Sequence, residues 1–350
     1  MLGIVFLFGA IGVGKFYPVL LQLLFTKEIE LKKADHSINI LLLGIAGGTH
    51  DGPDLTDTMM FASIDTNKNR VTLVSIPRDL WVPELKAKIN TAYAAGNNQE
   101  KNGGLTLSKV VVSKVVGQPI DYVLAIDFQG FVKAVDLVGG LDIDVVRTFD
   151  DYEYPIEEKR EDLCDQTLEE ATLRIATESA LIVFPCRYEH IHFDKGIQHM
   201  DGARSLIFVR SRYAEGEEGT DFARSQRQQK ILYAFKEKIF SLGTILNPIK
   251  LTSLYTILSE SINTNIQQSE FDDFVKLIQK VKNAKISSSV IELEDKKKNK
   301  PGLLINPPLE DFNGSWVLIP RKGNGDFSEI QKYISCLRMS DSCSINFIRE

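Results

Sequence analysis

Between residues 208 and 240 the chain reads FVRSRYAEGEEGTDFARSQRQQKILYAFKEKIF. Arg210 and Arg212 precede a Gly/Glu loop, and Asp221 stands where a helix N-cap is expected. The spacing of Ile231, Leu232, Phe235 and Ile239 predicts the core-facing stripe of that helix. Projected back at about 100° per residue, the stripe takes in Arg224, Arg227 and Gln228. Two guanidiniums and an amide therefore open the inward face. Inward charges need partners, and a helix N-terminus favours anions. Four arginines gathered there suit several negative charges, which a pyrophosphate supplies. Surface pairing with Glu215, Glu217, Glu218 and Asp221 is the alternative, and the inward phase argues against it.

Two further segments carry charge at predicted strand ends. In VTLVSIPRDLWV, residues 71–82, an apolar strand runs into Arg78 and Asp79. Ligands of open α/β sheets bind beyond strand ends, and an arginine fork matches phosphate oxygens. Asp79 either orients Arg78 or acts as a base; an ordinary edge salt bridge would use the same pair. In GIAGGTHDGPDLTDT, residues 44–58, a Gly-rich loop joins two strands. Such backbone can approach an anion closely, and Asp51, Asp54 and Asp57 offer hard oxygen ligands for Mg2+. A plain surface loop with turn-forming aspartates would look similar. The Gly-Lys-Ser/Thr ending of a Walker loop is missing. Lys88, in KIN at 88–90, adds a basic contact near Tyr93. No Ser-His-Asp or Cys-His arrangement is visible. His190 and His192 alternate as on a solvated strand face.

The elements that must position these residues follow from periodicity. Apolar runs at 38–45, 58–64, 71–76, 122–126 and 141–146 predict strands. Helical spacing at 105–116 and 128–138 predicts helices, the second stopped by Gly139 and Gly140. Near-continuous apolar strands must be covered on both faces, and the short link at 65–70 implies antiparallel pairing. The expected fold is a mixed central sheet sandwiched by helices, α/β/α. Residues 149–187 read as an acidic inserted loop bounded by Cys164 and Cys186. A disulfide there would contribute about 3 kcal/mol. The four cysteines fit two bridges in an oxidising compartment, with unpaired buried thiols as the alternative. After residue 242 the pattern changes to helices at 249–262 and 269–281 and a short strand at 316–319. The second helix opens on Ser269 and Asp272 at capping-box spacing, with Phe271, Phe274, Val275, Ile278 and Val281 on one face. Residues 243–350 are expected to form a mainly helical accessory region.

The net charge of −6 is local: residues 150–170 hold ten acids against two bases. No dominant basic face marks a nucleic-acid binder. Residues 1–25 contain one charge, Lys15. A helix of that length rises about 37 Å, enough for a bilayer core of about 30 Å. The absence of a basic leader and of a small-residue cleavage site favours an uncleaved transmembrane anchor, followed by a polar linker at 26–36. Lys15 opposes this at about 2.5–3.5 kcal/mol.

Taken in order, LLLGI with LTDT, SIPRDLW, KINTAY, DFQGF with VDLVGGLDIDV, FDKGIQHMDGARSLIFVRSR and DFARSQRQQK resemble the LytR–CpsA–Psr family. The resemblance covers residues 38–241. It implies a single-pass membrane protein whose catalytic domain, residues 37–242, faces outside the cytoplasm. It implies transfer of a polyprenyl-pyrophosphate-linked glycan to peptidoglycan, with Mg2+ as cofactor and the prenyl tail in an apolar tunnel. By the resemblance Asp57 is a magnesium carboxylate, and Arg78, Arg210, Arg212, Arg224 and Gln228 bind phosphate. Arg227 and Lys88 join that set from the residue reading, and Asp51 joins the metal set. The family's Gly-x-Asp after the first strand is replaced at Ala46, and its arginine two before Asp57 is Leu55. Phosphoryl transfer is mainly positioning and charge stabilisation, so Arg78, Asp57 and Asp79 are the expected catalytic residues, with Asp79 or Asp57 as base. A pyrophosphatase using water, and a non-catalytic binder of lipid-linked glycans, remain the alternatives.

Overall fold

The computed structural model describes residues 29–33, 36–48, 52–239, 261–294, 301–340 and 343–345. The anchor expected at 1–25, Asp51 and most of the helix expected at 249–262 lie outside them. Among the described residues no helix is long and apolar enough to cross a membrane.

In chain order, β1 (Ser37–Ile45), β2 (Thr56–Asp65) and β3 (Arg70–Ser75) lead to α1 (Ala92–Gln99) and α2 (Gly103–Val116). Then come β4 (Tyr122–Asp127), α3 (Phe128–Leu137), β5 (Leu141–Val145), β6 (Phe149–Pro155), α4 (Leu168–Ile175), β7 (Tyr188–Phe193) and β8 (Gly196–Met200). The chain continues through α5 (Gly202–Arg210), α6 (Asp221–Ile239), β9 (Ile262–Thr264), α7 (Phe271–Lys280), β10 (Lys285–Val290) and α8 (Ser328–Met339). Two compact units result: Met1–Ala134 with Leu242–Glu350, and Val135–Ser241.

The first unit is built on a six-stranded sheet, β9-β4-β1-β2-β3-β10. β1 lies parallel to β4 and antiparallel to β2; β3 is antiparallel to β2 and parallel to β10. Leu41, Leu43, Phe61 and Val74 pack on one face with Val112 and Val115 of α2 and Ile330 and Ile334 of α8. Tyr122 points to the opposite face, as the two-residue strand period requires. Its ring meets Phe274 of α7 edge-on at 4.9 Å, and its hydroxyl donates to Glu270 Oε1 at 2.8 Å. The mixed sheet flanked by helices is the architecture expected. Leu31, inside the expected linker, is buried, and the Lys32 N–H donates to the Tyr122 hydroxyl at 2.8 Å.

The C-terminal residues differ from expectation. β9 and β10, both from the region expected to be accessory, form the two edges of the central sheet. Their sequences, INT and KISSSV, are polar. An edge strand pairs through backbone groups, so its side chains need not carry an apolar signal. α7 also differs: no side-chain cap is made, and Val275 and Ile278 are exposed. Asp272 and Asp273 are buried instead, bonded to Lys276 Nζ at 2.9 and 3.0 Å.

The second unit pairs β6 with β7 and β5 with β8, both antiparallel. Phe149, Phe193 and Phe208 form an aromatic cluster, with Phe193 5.1 Å from each of the other two rings. Cys164 is bonded to Cys186, as the acidic stretch suggested, and Cys336 to Cys343 in the first unit. That stretch is less separate than expected, because β6 inside it pairs with β7 beyond it. α6 begins at Asp221, one residue after Thr220, whose Oγ1 accepts from the Ala223 N–H at 3.1 Å.

Candidate active site

One rim of the central sheet brings together Asp57, Arg78, Asp79 and Lys88 of the first unit. Antiparallel pairing sets Ile45 against Thr56 and Met60 against Ser75, and the parallel pairing sets Ile45 against Asp127. The loop before β2 and the loop after β3 therefore meet at this rim. Arg78 forms a close ion pair with Asp57. Its Nε lies 3.5 Å from Asp79 Oδ2, and Lys88 Nζ donates to Asp79 Oδ1 at 2.7 Å. The result is a chain of alternating charge, Asp57–Arg78–Asp79–Lys88. Its ends differ. The Asp79 side chain is 9% exposed and faces two cations, which makes it the partner that orients Arg78. The Asp57 side chain is 41% exposed and pairs with Arg78.

The backbone around Arg78 is held from several directions. Asn90 N–H donates to the Arg78 carbonyl at 3.3 Å, and Ile89 N–H to Leu80 at 2.7 Å. Leu318 N–H donates to the Asp79 carbonyl at 2.9 Å, so the C-terminal region braces the rim. Asp54 accepts from Asn97 Nδ2 of α1 at 2.9 Å. Asp127 caps α3, accepting from Gly130 N–H at 2.6 Å. Gly47 passes over Asp127 with φ +70°; a Cβ there would lie 2.7 Å from the Asp127 Cβ, so both the angle and the space require glycine. Asp54 and Asp57 both bring carboxylate oxygens to this rim.

The remaining expected residues belong to the second unit. Arg210 ends α5, 3.6 Å from Glu157 Oε2 and 5.8 Å from the Tyr154 ring centre. Burial pushes the Tyr154 hydroxyl pKa up, and the Arg210 charge opposes this. Arg212 follows, half-buried, with its guanidinium 5.9 Å from the Tyr213 ring centre. Arg224 is enclosed on α6, and Gln228 is half-buried one turn on.

Arg227 departs from its expected role. It is 3% exposed. Its Nε donates to the Phe208 carbonyl at 2.9 Å and its Nη2 to the Ser211 carbonyl at 2.6 Å. Its Nη1 donates to the carbonyl and to Oε2 of Glu218, both at 2.9 Å. These donors face the protein, so Arg227 clamps α6 to the loop after α5.

That loop has a second anchor, which the sequence did not reveal. Asp151 of β6 is fully buried. Its Oδ2 accepts from Ser211 Oγ at 2.6 Å, Arg212 N–H at 3.1 Å and Tyr213 N–H at 3.3 Å. Its Oδ1 accepts from Glu153 N–H at 3.0 Å. One carboxylate thus fixes the turn that carries Arg212. It lies within a run of ten acids, and nothing in its neighbours' types sets it apart.

A carboxylate- and arginine-lined rim on a mixed α/β sheet is what the fold and its side chains define. The sequence matches the LytR_cpsA_psr family over residues 22–306, and the chain belongs to that family. It is 28% identical over 249 residues to the polyisoprenyl-teichoic acid–peptidoglycan teichoic acid transferase TagV of Bacillus subtilis, covering 69% of this chain and 52% of that protein. It is 27% identical over 256 residues to the corresponding TagU of Bacillus cereus, covering 72% of this chain and 67% of the relative. The chain thus spans about half the length of the first relative. The crystal structure of B. subtilis TagV shares the fold, with a TM-score of 0.56 at 22% identity over 87% of this chain and 98% of that one.

Proposed function

We propose that this protein transfers a glycopolymer phosphate from a polyprenyl-pyrophosphate-linked donor to peptidoglycan. The observation that carries the reading is the charge chain Asp57–Arg78–Asp79–Lys88 at the sheet rim. The named activity of the TagV and TagU relatives supports it. In the proposed step an acceptor hydroxyl oxygen bonds to the phosphorus on the glycan side. The bond from that phosphorus to the bridging oxygen breaks, polyprenyl phosphate leaves, and the hydroxyl proton passes to a carboxylate. Arg78, oriented by Asp79, stabilises the charge on the equatorial oxygens. Asp57 and Asp79 are the two candidate bases; Asp57 is the more exposed, and Asp79 pairs with two cations. Arg210, Arg212, Arg224 and Gln228 are further phosphate-binding candidates.

Mg2+ is part of the proposal, held by Asp57, with Asp51 as the second expected ligand. When bound it would neutralise phosphate charge. Attachment to the cell membrane, an extracytoplasmic site and an apolar tunnel for the prenyl tail belong to the same proposal. The test incubates purified protein with a lipid-linked glycopolymer, Mg2+ and peptidoglycan, and follows both products. Glycan bound covalently to peptidoglycan, with polyprenyl phosphate released in equal amount, is expected. Release of both products without any linkage would make the protein a pyrophosphatase, and no turnover would make it a binder.

A further inference from the structure

β6 and β7 face each other in antiparallel register with Asp150 opposite His192. His190 and His192 are two residues apart on β7, so both side chains project from the same face. Asp150 projects between them. Its Oδ1 is 2.7 Å from His190 Nε2 and 2.8 Å from His192 Nδ1. The three ligand atoms all lie within 4.8 Å of one another. We infer that Asp150, His190 and His192 form a binding site for a divalent transition metal of the zinc class.

Three observations support more than a chance meeting of polar groups. The first is the donor set. Two imidazoles and one carboxylate suit zinc, cobalt or nickel and not Mg2+, which prefers oxygen ligands. The second is the outer partner. His192 Nε2 lies 3.2 Å from Asp194 Oδ1, so Nδ1 can bind metal while Nε2–H donates to a carboxylate. That arrangement fixes the ring and raises its basicity in metal sites. The third is the orientation of His190, whose ring stacks on Tyr152 at 4.3 Å and 7°. Both strands are rigidly placed by the Phe149–Phe193 stack beside the site.

The site also touches the turn that carries Arg212. Glu215 N–H donates to the Asp150 carbonyl at 2.9 Å, and Asp151, the next residue, holds residues 211–213. A metal on Asp150 would lock this part of the second unit.

The experiment uses the full chain, purified without a histidine tag and stripped with a chelator. Co2+ is titrated and followed by its visible absorption, and Zn2+ by calorimetry. One ion per chain is expected, in the micromolar range or tighter and not displaced by excess Mg2+. His190→Gln and His192→Gln should each weaken binding at least tenfold, and Asp194→Asn by about tenfold. His199→Gln, an exposed histidine paired with Asp142 on β5, should bind as the unaltered chain does. Zinc should raise the melting temperature of the unaltered chain by a few degrees and leave that of His192→Gln unchanged. Binding only at millimolar metal, or an affinity in either histidine variant unchanged from that of the unaltered chain, would overturn the assignment. Circular dichroism of the variants separates loss of binding from loss of fold.

Discussion

The two units use arginine for opposite purposes. Arg78, at the sheet rim, is 20% exposed and spends its close contacts on two carboxylates, one of which faces solvent. Arg227, on α6, is almost fully enclosed and gives its donors to three backbone carbonyls and Glu218. A guanidinium whose donors are consumed by the protein cannot also hold a phosphate. One whose partner is an open carboxylate can exchange it for a ligand or share it with a cation. Inward direction alone does not distinguish the two; the identity of the acceptors does.

The comparison breaks first at Arg227. Replacement by Met should destabilise the second unit by about 3–5 kcal/mol, because Glu218 and three carbonyls lose their donor in a buried place. Urea unfolding measures this, and activity should fall only as far as the folded fraction does. If Arg227→Met is stable and inactive, Arg227 is a ligand after all. Arg78→Ala should do the reverse. Turnover should fall by about 10²–10³, or roughly 3–4 kcal/mol, while stability changes little. Steady-state kinetics and a melting curve on the same sample decide between the two roles.

Asp151→Asn sharpens the contrast within the second unit. An amide accepts at one end only, so either the Glu153 N–H or the donors of the 211–213 turn lose their acceptor. A cost of about 1–3 kcal/mol is expected, with a rise in KM and little change in kcat if the turn only presents Arg212. A fall in kcat alone would place Asp151 in the chemistry.

The smallest effect concerns acid. Arg321 holds Glu329 through two bonds, at 2.7 and 3.0 Å, and these hold its carboxyl below the ordinary 4.5. A carboxylate depressed in the folded state contributes stability that is present above its unfolded pKa and lost as pH falls through its folded pKa. The melting temperature should therefore drop as pH falls below 4.5, and Glu329→Gln should remove part of that slope. An unchanged slope would mean that this pair contributes nothing.

What the sequence revealed follows the same physical division. β1, β2, β3 and β4 were legible because strands covered on both faces are apolar at nearly every position. Arg78 and Asp79 stood out because they directly follow an apolar strand, and Asp57 because it opens one. β9 and β10 were not, since polar edge strands are held by backbone bonds. α7 misled because Asp272, Asp273 and Lys276 neutralise one another in the interior while Val275 and Ile278 remain outside. Arg227 misled because helical phase gives direction and not partners. Asp151 stayed hidden among other acids, with its three partners about 60 residues away in the chain.

The central claim is that the open carboxylate of the sheet rim serves phosphoryl transfer. Asp57→Ala tests it most directly, with transfer of lipid-linked glycopolymer to peptidoglycan measured across a Mg2+ titration. The account predicts that transfer is abolished at every Mg2+ concentration while circular dichroism and melting temperature match the unaltered chain. Unchanged transfer at saturating Mg2+ would contradict it.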